Sequence, residues 1–178
     1  TDYDLDAGGV GGPLTWAPPS DTTSVAHYVI YLAIGGGTQR SHVGQVAGSN
    51  VLHIQPDLGA TSSDYFAVYT RSSLFEQTTP TTLQIQDYDA SASTLFFVDQ
   101  DFGGYQIGGP TTWAPPGDVS RVTSYTLYLA DDEEGKDREF LVNVTVGTNE
   151  FTIPGGTLLG EHTNLVIYTM SALVEQSE

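Results

Sequence analysis

Apolar and polar residues alternate in short runs along this chain. In the run 25–33, one apolar set falls on odd-numbered positions, and Tyr28, Ile30 and Leu32 form a second set between them. Further runs rich in β-branched and aromatic residues occupy 65–69, 122–130, 140–146, 151–153 and 165–168. Such runs are typical of β-strands, and Gly, Pro, Asp and Asn separate them at intervals of roughly 8 to 12 residues. Because no stretch carries an apolar stripe of helical period, the pattern predicts an all-β chain.

The chain contains nearly the same module twice. The segment 13–34 returns as 110–131 with 12 of 22 positions identical and no gap. Later in each copy, Glu76-Gln77 returns as Glu175-Gln176. Self-similarity at a fixed period indicates a repeat architecture, and a spacing of 97 to 99 residues fits one small domain per copy. We therefore predict two tandem β-sandwich domains, one over 1–89 and one over 90–178.

A tryptophan followed by Pro-Pro, and then by a Tyr-x-x-Tyr strand, marks each copy. Trp16 and Trp113 open the two Trp-Ala-Pro-Pro segments, and Tyr28 and Tyr125 open the tyrosine pairs. Each copy therefore resembles a fibronectin type III module, an Ig-like β-sandwich. The repeats are also similar to long arrays predicted in marine algal protists. The resemblance implies a module that binds or spaces other molecules and is seldom an enzyme, although a fold alone does not assign a function.

The fibronectin scheme assigns a letter to each predicted strand. The predicted strands are 94–98 (A, second copy), 12–16 and 109–113 (B), 25–33 and 122–130 (C), 40–46 and 138–146 (C′), 50–55 and 149–153 (E), 64–70 and 163–170 (F), and 81–86 (G, first copy). The first copy lacks most of strand A and the second lacks strand G. We therefore expect a segment of a longer array or filament, or a neighbouring chain that supplies the lost strands by β-augmentation.

The charge balance limits the partners of the chain. Five Lys and Arg face 22 Asp and Glu, which gives a net charge of −17. So acidic a surface repels nucleic acid and anionic lipid and suits divalent cations. No run of about 18 apolar residues predicts a membrane span. The many Thr, Ser and Gly residues and the scarcity of Lys favour an extracellular or cell-surface location, where Asn143-Val144-Thr145 would be a glycosylation triplet.

Acidic residues next to glycines form the candidate metal site. Asp2, Asp4 and Asp6 precede a glycine cluster, and Asp99 and Asp101 hold the equivalent positions in the second copy. Alternate carboxylates on extended backbone point to one side, and Ca²⁺ requires several oxygen ligands. The candidate cofactor is therefore Ca²⁺ at the module junctions, although solvating charges at turns are the alternative. The predicted ligands are Asp2, Asp4, Asp6, Asp57, Asp87, Asp89, Asp99, Asp101, Asp131 and Asp132, with Glu133, Glu134, Asp137 and Glu161 expected near the last four.

No pattern in the sequence indicates catalysis. The histidines, which are His27, His42, His53 and His162, share no spacing between the copies. Gly35-Gly36-Gly37-Thr38 lacks the ending of a phosphate-binding loop and is interpreted as a hairpin turn. We predict core packing for the two tryptophans. Tyr28, Tyr31, Tyr125 and Tyr128 are expected to divide between the two sheet faces, with some of them exposed or half-exposed.

The chain is predicted to be a non-enzymatic structural or adhesive repeat protein. Its expected partners are neighbouring modules or identical chains. The alternative is a carbohydrate- or protein-binding accessory module of a larger enzyme or receptor. Exposed paired aromatic residues on one face would favour that alternative.

Overall fold

The computed structural model describes residues 2–35, 39–60 and 62–177, and these residues form strands without any helix. The all-β prediction is confirmed. The residues 36–38 of the predicted glycine-rich hairpin turn lie outside the described residues. The strands are β1 (Gly9–Thr15), β2 (His27–Ile34), β3 (Gln39–Val46), β4 (Val51–Gly59), β5 (Tyr65–Arg71), β6 (Thr81–Gln84), β7 (Ser93–Phe97), β8 (Gln106–Ala114), β9 (Ser124–Ala130), β10 (Glu139–Thr145), β11 (Glu150–Leu158) and β12 (Asn164–Met170).

The chain divides into two compact units. The first contains the residues up to Asp4 and then Gly8–Tyr88, and the second contains Leu5–Ala7 and everything from Asp89 onward. The main division thus falls after Tyr88, next to the predicted boundary after Asp89. The assignment of Leu5–Ala7 to the second unit has no counterpart in the predicted boundaries, which placed 1–89 in one domain.

The first unit consists of two antiparallel sheets with one core between them. The sheets have the strand orders β1-β4 and β3-β2-β5-β6. Leu14 of β1 and Ile54 of β4 share a buried cluster with Ile30 of β2 and Phe66 of β5. Since apolar residues of both sheets meet in that cluster, the unit is a β-sandwich.

The second unit also has six strands in two antiparallel sheets, but they are divided three and three. Its sheets have the orders β11-β8-β7 and β10-β9-β12. Trp113 of β8 packs with Tyr125 and Leu127 of β9, and Leu5 belongs to the same buried cluster. The described residues contain no strand before β1 and none after β12, and among them no helix is long and apolar enough to cross a bilayer.

The predicted strands agree with the observed ones in their middles and differ most at four ends. Strands β1 and β8 begin at Gly9 and Gln106, three residues before the predicted starts. Strands β4 and β11 continue to Gly59 and Leu158, several residues beyond the predicted ends. The pairing register shifts between Ile153 and Thr157, and Gly156 has a φ of 83°. Such an irregularity interrupts the two-residue alternation on which the prediction depended, so the strand continues past the point where the pattern stops.

Candidate functional site

Asp2 organises an acidic turn at the start of the first unit. Its side chain is buried, with 6% of the residue exposed. Its Oδ1 accepts the N–H groups of Asp4 at 3.0 Å and Gly11 at 2.9 Å, and its Oδ2 accepts the N–H of Tyr88 at 3.0 Å. Burial raises the pKa of Asp2, and these three hydrogen bonds act in the opposite direction. The carboxylate therefore ties β1 to the segment that follows β6.

Asp4 connects the same turn to β4. It is fully buried, and its Oδ2 accepts the N–H of Asp57 at 2.5 Å. Carboxylate oxygens of Asp4 and Asp57 lie within 4.8 Å of one another. A Cβ atom added at Gly9 would lie 3.0 Å from Asp4 Oδ2, so glycine leaves room for the carboxylate. Two of the predicted metal ligands are thus brought together within the first unit, and Asp87 lies beside the turn, where its Oδ2 accepts the N–H of Gly8 at 2.7 Å.

The second unit contains the same turn. Oδ1 of Asp99 accepts the N–H groups of Asp101 and Gly108, both at 3.0 Å. Asp101 accepts the N–H of Gly103 at 2.7 Å and that of Gly156 at 2.5 Å. These bonds lower the pKa of Asp101 because they stabilise its charged form. In both copies, therefore, the acidic residues of the turn accept hydrogen bonds from backbone N–H groups.

Three further predicted ligands have other hydrogen-bond partners. Asp131 Oδ1 lies 2.8 Å from His162 Nδ1, Asp132 accepts the N–H of Lys136, and Asp89 accepts the hydroxyl of Ser91. In the described part of the second unit, no three His, Asp or Glu side chains of that unit have ligand atoms within 4.8 Å of one another. No such group therefore joins Asp131 and Asp132 to Asp99 and Asp101 in this part of the chain. The metal role of all these residues stays a prediction.

Leu5 and Asp6 pack within the second unit. Leu5 is fully buried, and its carbonyl oxygen accepts the N–H of Ala90 at 3.2 Å and Nε2 of Gln176 at 3.4 Å. Asp6 is 5% exposed and accepts the N–H of Ser177 at 3.0 Å on both oxygens and its hydroxyl at 2.7 Å. These two residues thus complete the core and the polar edge of a unit whose other residues begin at Asp89.

The Gln176 side chain forms hydrogen bonds around Leu5 in the second unit. The side chain is 3% exposed, and Nε2 also donates to Ser91 Oγ at 2.5 Å. Thr169 Oγ1 lies 2.8 Å from the Ala90 carbonyl oxygen and 3.1 Å from Gln176 Oε1. The recurrence of Glu-Gln in both copies signalled that the position matters, but the sequence did not reveal the partner of the glutamine.

The repeated glutamate completes a second recurring cluster, which sequence reasoning missed. Arg40 stacks over the rings of Tyr31 and Tyr69 at 4.2 and 4.4 Å from their centroids. Glu76 pairs with Arg40 at 2.8 Å and accepts the hydroxyl of Tyr31 at 2.9 Å. The second copy builds the same cluster from Arg138, Tyr128, Tyr168 and Glu175. The guanidinium covers the rings, so the tyrosines do not form an open stacking platform.

The tryptophans and the glycosylation triplet were also singled out in the sequence. Trp16 and Trp113 pack against Tyr28 and Tyr125 with ring centroids 5.2 and 5.5 Å apart, as predicted for core residues. Asn143 is exposed on β10, and its glycosylation stays a prediction. No protein-family model matches the chain, and no curated protein is significantly similar to it.

Proposed function

We propose that this chain is a non-enzymatic structural protein of the extracellular or cell-surface type, built as a segment of a tandem array of fibronectin type III-like sandwiches. One observation supports the proposal above all. Leu5–Ala7, which belong by sequence to the first repeat, are part of the second compact unit. A module that takes a core residue from another repeat is suited to connecting repeats.

The connection has consequences under tension. Along the chain, residues alternate between the units at Asp4–Leu5, at Ala7–Gly8 and at Tyr88–Asp89. Extension of the chain at residues 5–7 would have to expose the Leu5 side chain to water and break the bonds between Asp6 and Ser177. Exposure of a leucine costs roughly 1.5 to 3 kcal/mol, so this anchor resists extension more than a solvated linker does.

The composition and the sheet surfaces support the same function. A net charge of −17 keeps such a chain soluble and repels unrelated polyanions. The alternative of a carbohydrate-binding module would require open paired aromatic rings. The rings of Tyr31 and Tyr128 instead carry the guanidinium groups of Arg40 and Arg138.

A more specific version of the proposal includes the binding of Ca²⁺ by the first unit. Asp4 and Asp57 support it, because two close carboxylates repel each other unless a cation or a proton neutralises them. Binding of Ca²⁺ to the folded state would raise the melting temperature as the ion concentration rises. We expect Asp57→Asn to abolish that response and Asp21→Asn, in an exposed loop, to retain it. An equal response to Mg²⁺, or no response, removes calcium from the proposal.

Single-molecule extension of the chain tests the structural role. We expect two separate unfolding events, each releasing a length of about 3.4 Å per residue of one unit. Asp6→Asn weakens the bonds to Ser177 and should lower the force of one event only. A chain that extends smoothly without resistance would contradict the proposal.

A further inference from the structure

Strand β10 is an outer strand of its sheet in the second unit. The sheet has the order β10-β9-β12, and within the described part of the chain β10 pairs with β9 alone. An outer strand exposes a row of backbone N–H and C=O groups that can pair with a strand of another molecule. Proteins commonly protect such an edge with lysine, proline, an inward-pointing charge or a bulge. The residues of β10 therefore decide whether its edge is protected.

The sequence of β10 offers little protection. The run from Phe140 to Asn149 contains no charged residue and no proline. The strand is rich in valine and other residues that favour β-structure. Its pairing register with β9 shifts between Phe140 and Val142, which leaves Val142–Thr145 regular. A segment of high β-propensity with low charge and without proline is the kind that pairs with copies of itself.

The aligned outer strand of the first unit has a different character. Strand β3 has the same position in the sheet β3-β2-β5-β6 and also pairs with one strand, β2. It contains the charged Arg40 and the polar His42, and both are exposed. In β10 the corresponding stretch is apolar, although the two strands belong to copies of one module. The difference is therefore a property of the second unit and not of the fold.

The side chains of β10 leave apolar surface for a further strand to cover. Val142, Val144 and Val146 pack against the core of the second unit but are only partly buried. Phe140 of the same strand is 58% exposed. A strand added beside β10 would extend the sheet and remove part of this surface from water, which favours association. Backbone pairing and apolar burial thus act in the same direction at this edge.

We propose that β10 pairs in antiparallel orientation with β10 of a second copy of this chain. The proposal rests on the structural function proposed above and names the partner. Two chains with a net charge of −17 repel each other, so they approach most easily where both surfaces lack charge. A two-fold axis at residue 143 or 144 places every residue of 140–146 opposite an uncharged residue of the partner strand. Because the contact joins identical surfaces, it closes into a dimer.

Sedimentation equilibrium of the full chain tests the proposal. The chain is produced without glycosylation, because a glycan on Asn143 would cover the edge. In about 0.5 M sodium chloride, which screens the repulsion between the chains, the wild type should form dimers as its concentration rises to about 1 mM.

Paired lysine substitutions locate the contact. Asn143 and Thr145 are exposed on β10, and changing both to lysine should weaken association at least tenfold, because like charges then lie opposite each other. The matched control changes Gln45 and Ala47, the aligned exposed positions of the first unit, to lysine and should leave association unchanged. Tryptophan fluorescence checks that both variants are folded.

Cysteine cross-linking identifies the paired strands directly. The chain contains no cysteine, so introduced cysteines react only with each other. Paired strands lie about 5 Å apart, which is within the range of a disulfide. An equimolar mixture of Asn143→Cys and Thr145→Cys chains should therefore form disulfide-linked dimers on mild oxidation. A mixture of Gln45→Cys and Ala47→Cys chains should form at least fivefold fewer.

Three results would overturn the proposal. They are a wild-type chain that stays monomeric up to about 1 mM, a dimer that lysines on β10 do not weaken, and equal cross-linking of the two cysteine mixtures. Single-molecule extension measures one chain at a time, so its result for the structural function does not depend on pairing. The failure of one proposal is therefore distinguishable from the failure of the other.

Discussion

Leu5→Ala should destabilise the second unit from a position far away in the sequence. The substitution removes three carbon atoms from a fully buried side chain, which is about 2.4 kcal/mol at roughly 0.8 kcal/mol per carbon. Buried leucine-to-alanine changes cost about 2 to 5 kcal/mol when the cavity term is added. Because Leu5 lies outside the strands, its segment can shift and fill part of the cavity. We therefore expect a loss of about 2.5 to 3 kcal/mol in the free energy of unfolding.

Urea unfolding followed by tryptophan fluorescence measures this loss. Trp113 shares the cluster of Leu5 and reports on the second unit, and Trp16 reports on the first, so each is followed in a variant that lacks the other. With a denaturant slope of about 1 to 2 kcal/mol per molar, the Trp113 midpoint should fall by about 1.3 to 3 M. Phe102→Ala is the aligned control and should change stability by less than about 0.5 kcal/mol. Equal effects of the two substitutions would refute the assignment of Leu5 to the core.

Three further predictions concern single groups. Burial, and then the acceptor Glu76, raise the pKa of Tyr31, so Glu76→Gln should lower that pKa in an absorbance titration yet leave it above the ordinary value; an unchanged titration would exclude the bond. Hydrogen bonds from backbone N–H groups lower the pKa of Asp101, so the folded state holds fewer protons and loses stability as the pH falls through that pKa. Urea midpoints measured from neutral to acid pH should show this loss in the wild type and less of it in Asp101→Asn. Gly109 has a φ of 144°, and an added Cβ would overlap a backbone carbonyl oxygen, so Gly109→Ala should cost about 2 kcal/mol in urea unfolding. Gly117→Ala, which meets no atom within 4 Å, should stay within about 0.5 kcal/mol, and similar losses for both would contradict this reasoning.

The strands could be predicted because successive residues of a strand point to opposite faces of its sheet. Tyr28, Ile30 and Leu32 alternate for this reason, and all three are buried in the first unit. Because the module occurs twice, strands could be predicted from two related sequences. Bulges were not predictable, since a shift such as that between Ile153 and Thr157 depends on partner strands rather than on local pattern.

The burial of Leu5 in the second unit could not be predicted from the sequence. Leu5 and Phe102 occupy aligned positions and have similar hydrophobicity, yet one is fully buried and the other fully exposed. Burial at this position depends on contacts with residues more than 80 positions away, which no local pattern encodes. The sequence drew attention to the acidic residues as candidate metal ligands, but the bonds of Asp2 and Asp99 to backbone N–H groups appear only in three dimensions.

The bond between Asp6 and Ser177 joins residues 171 positions apart. During synthesis on the ribosome, Leu5 emerges before residues 89–177, and its binding site forms only after they have followed. Cleavage of the chain after residue 7 would likewise weaken a domain whose other residues begin more than 80 positions later. A recombinant fragment that begins at the repeat boundary would lack Leu5 and with it part of the hydrophobic core of the second unit.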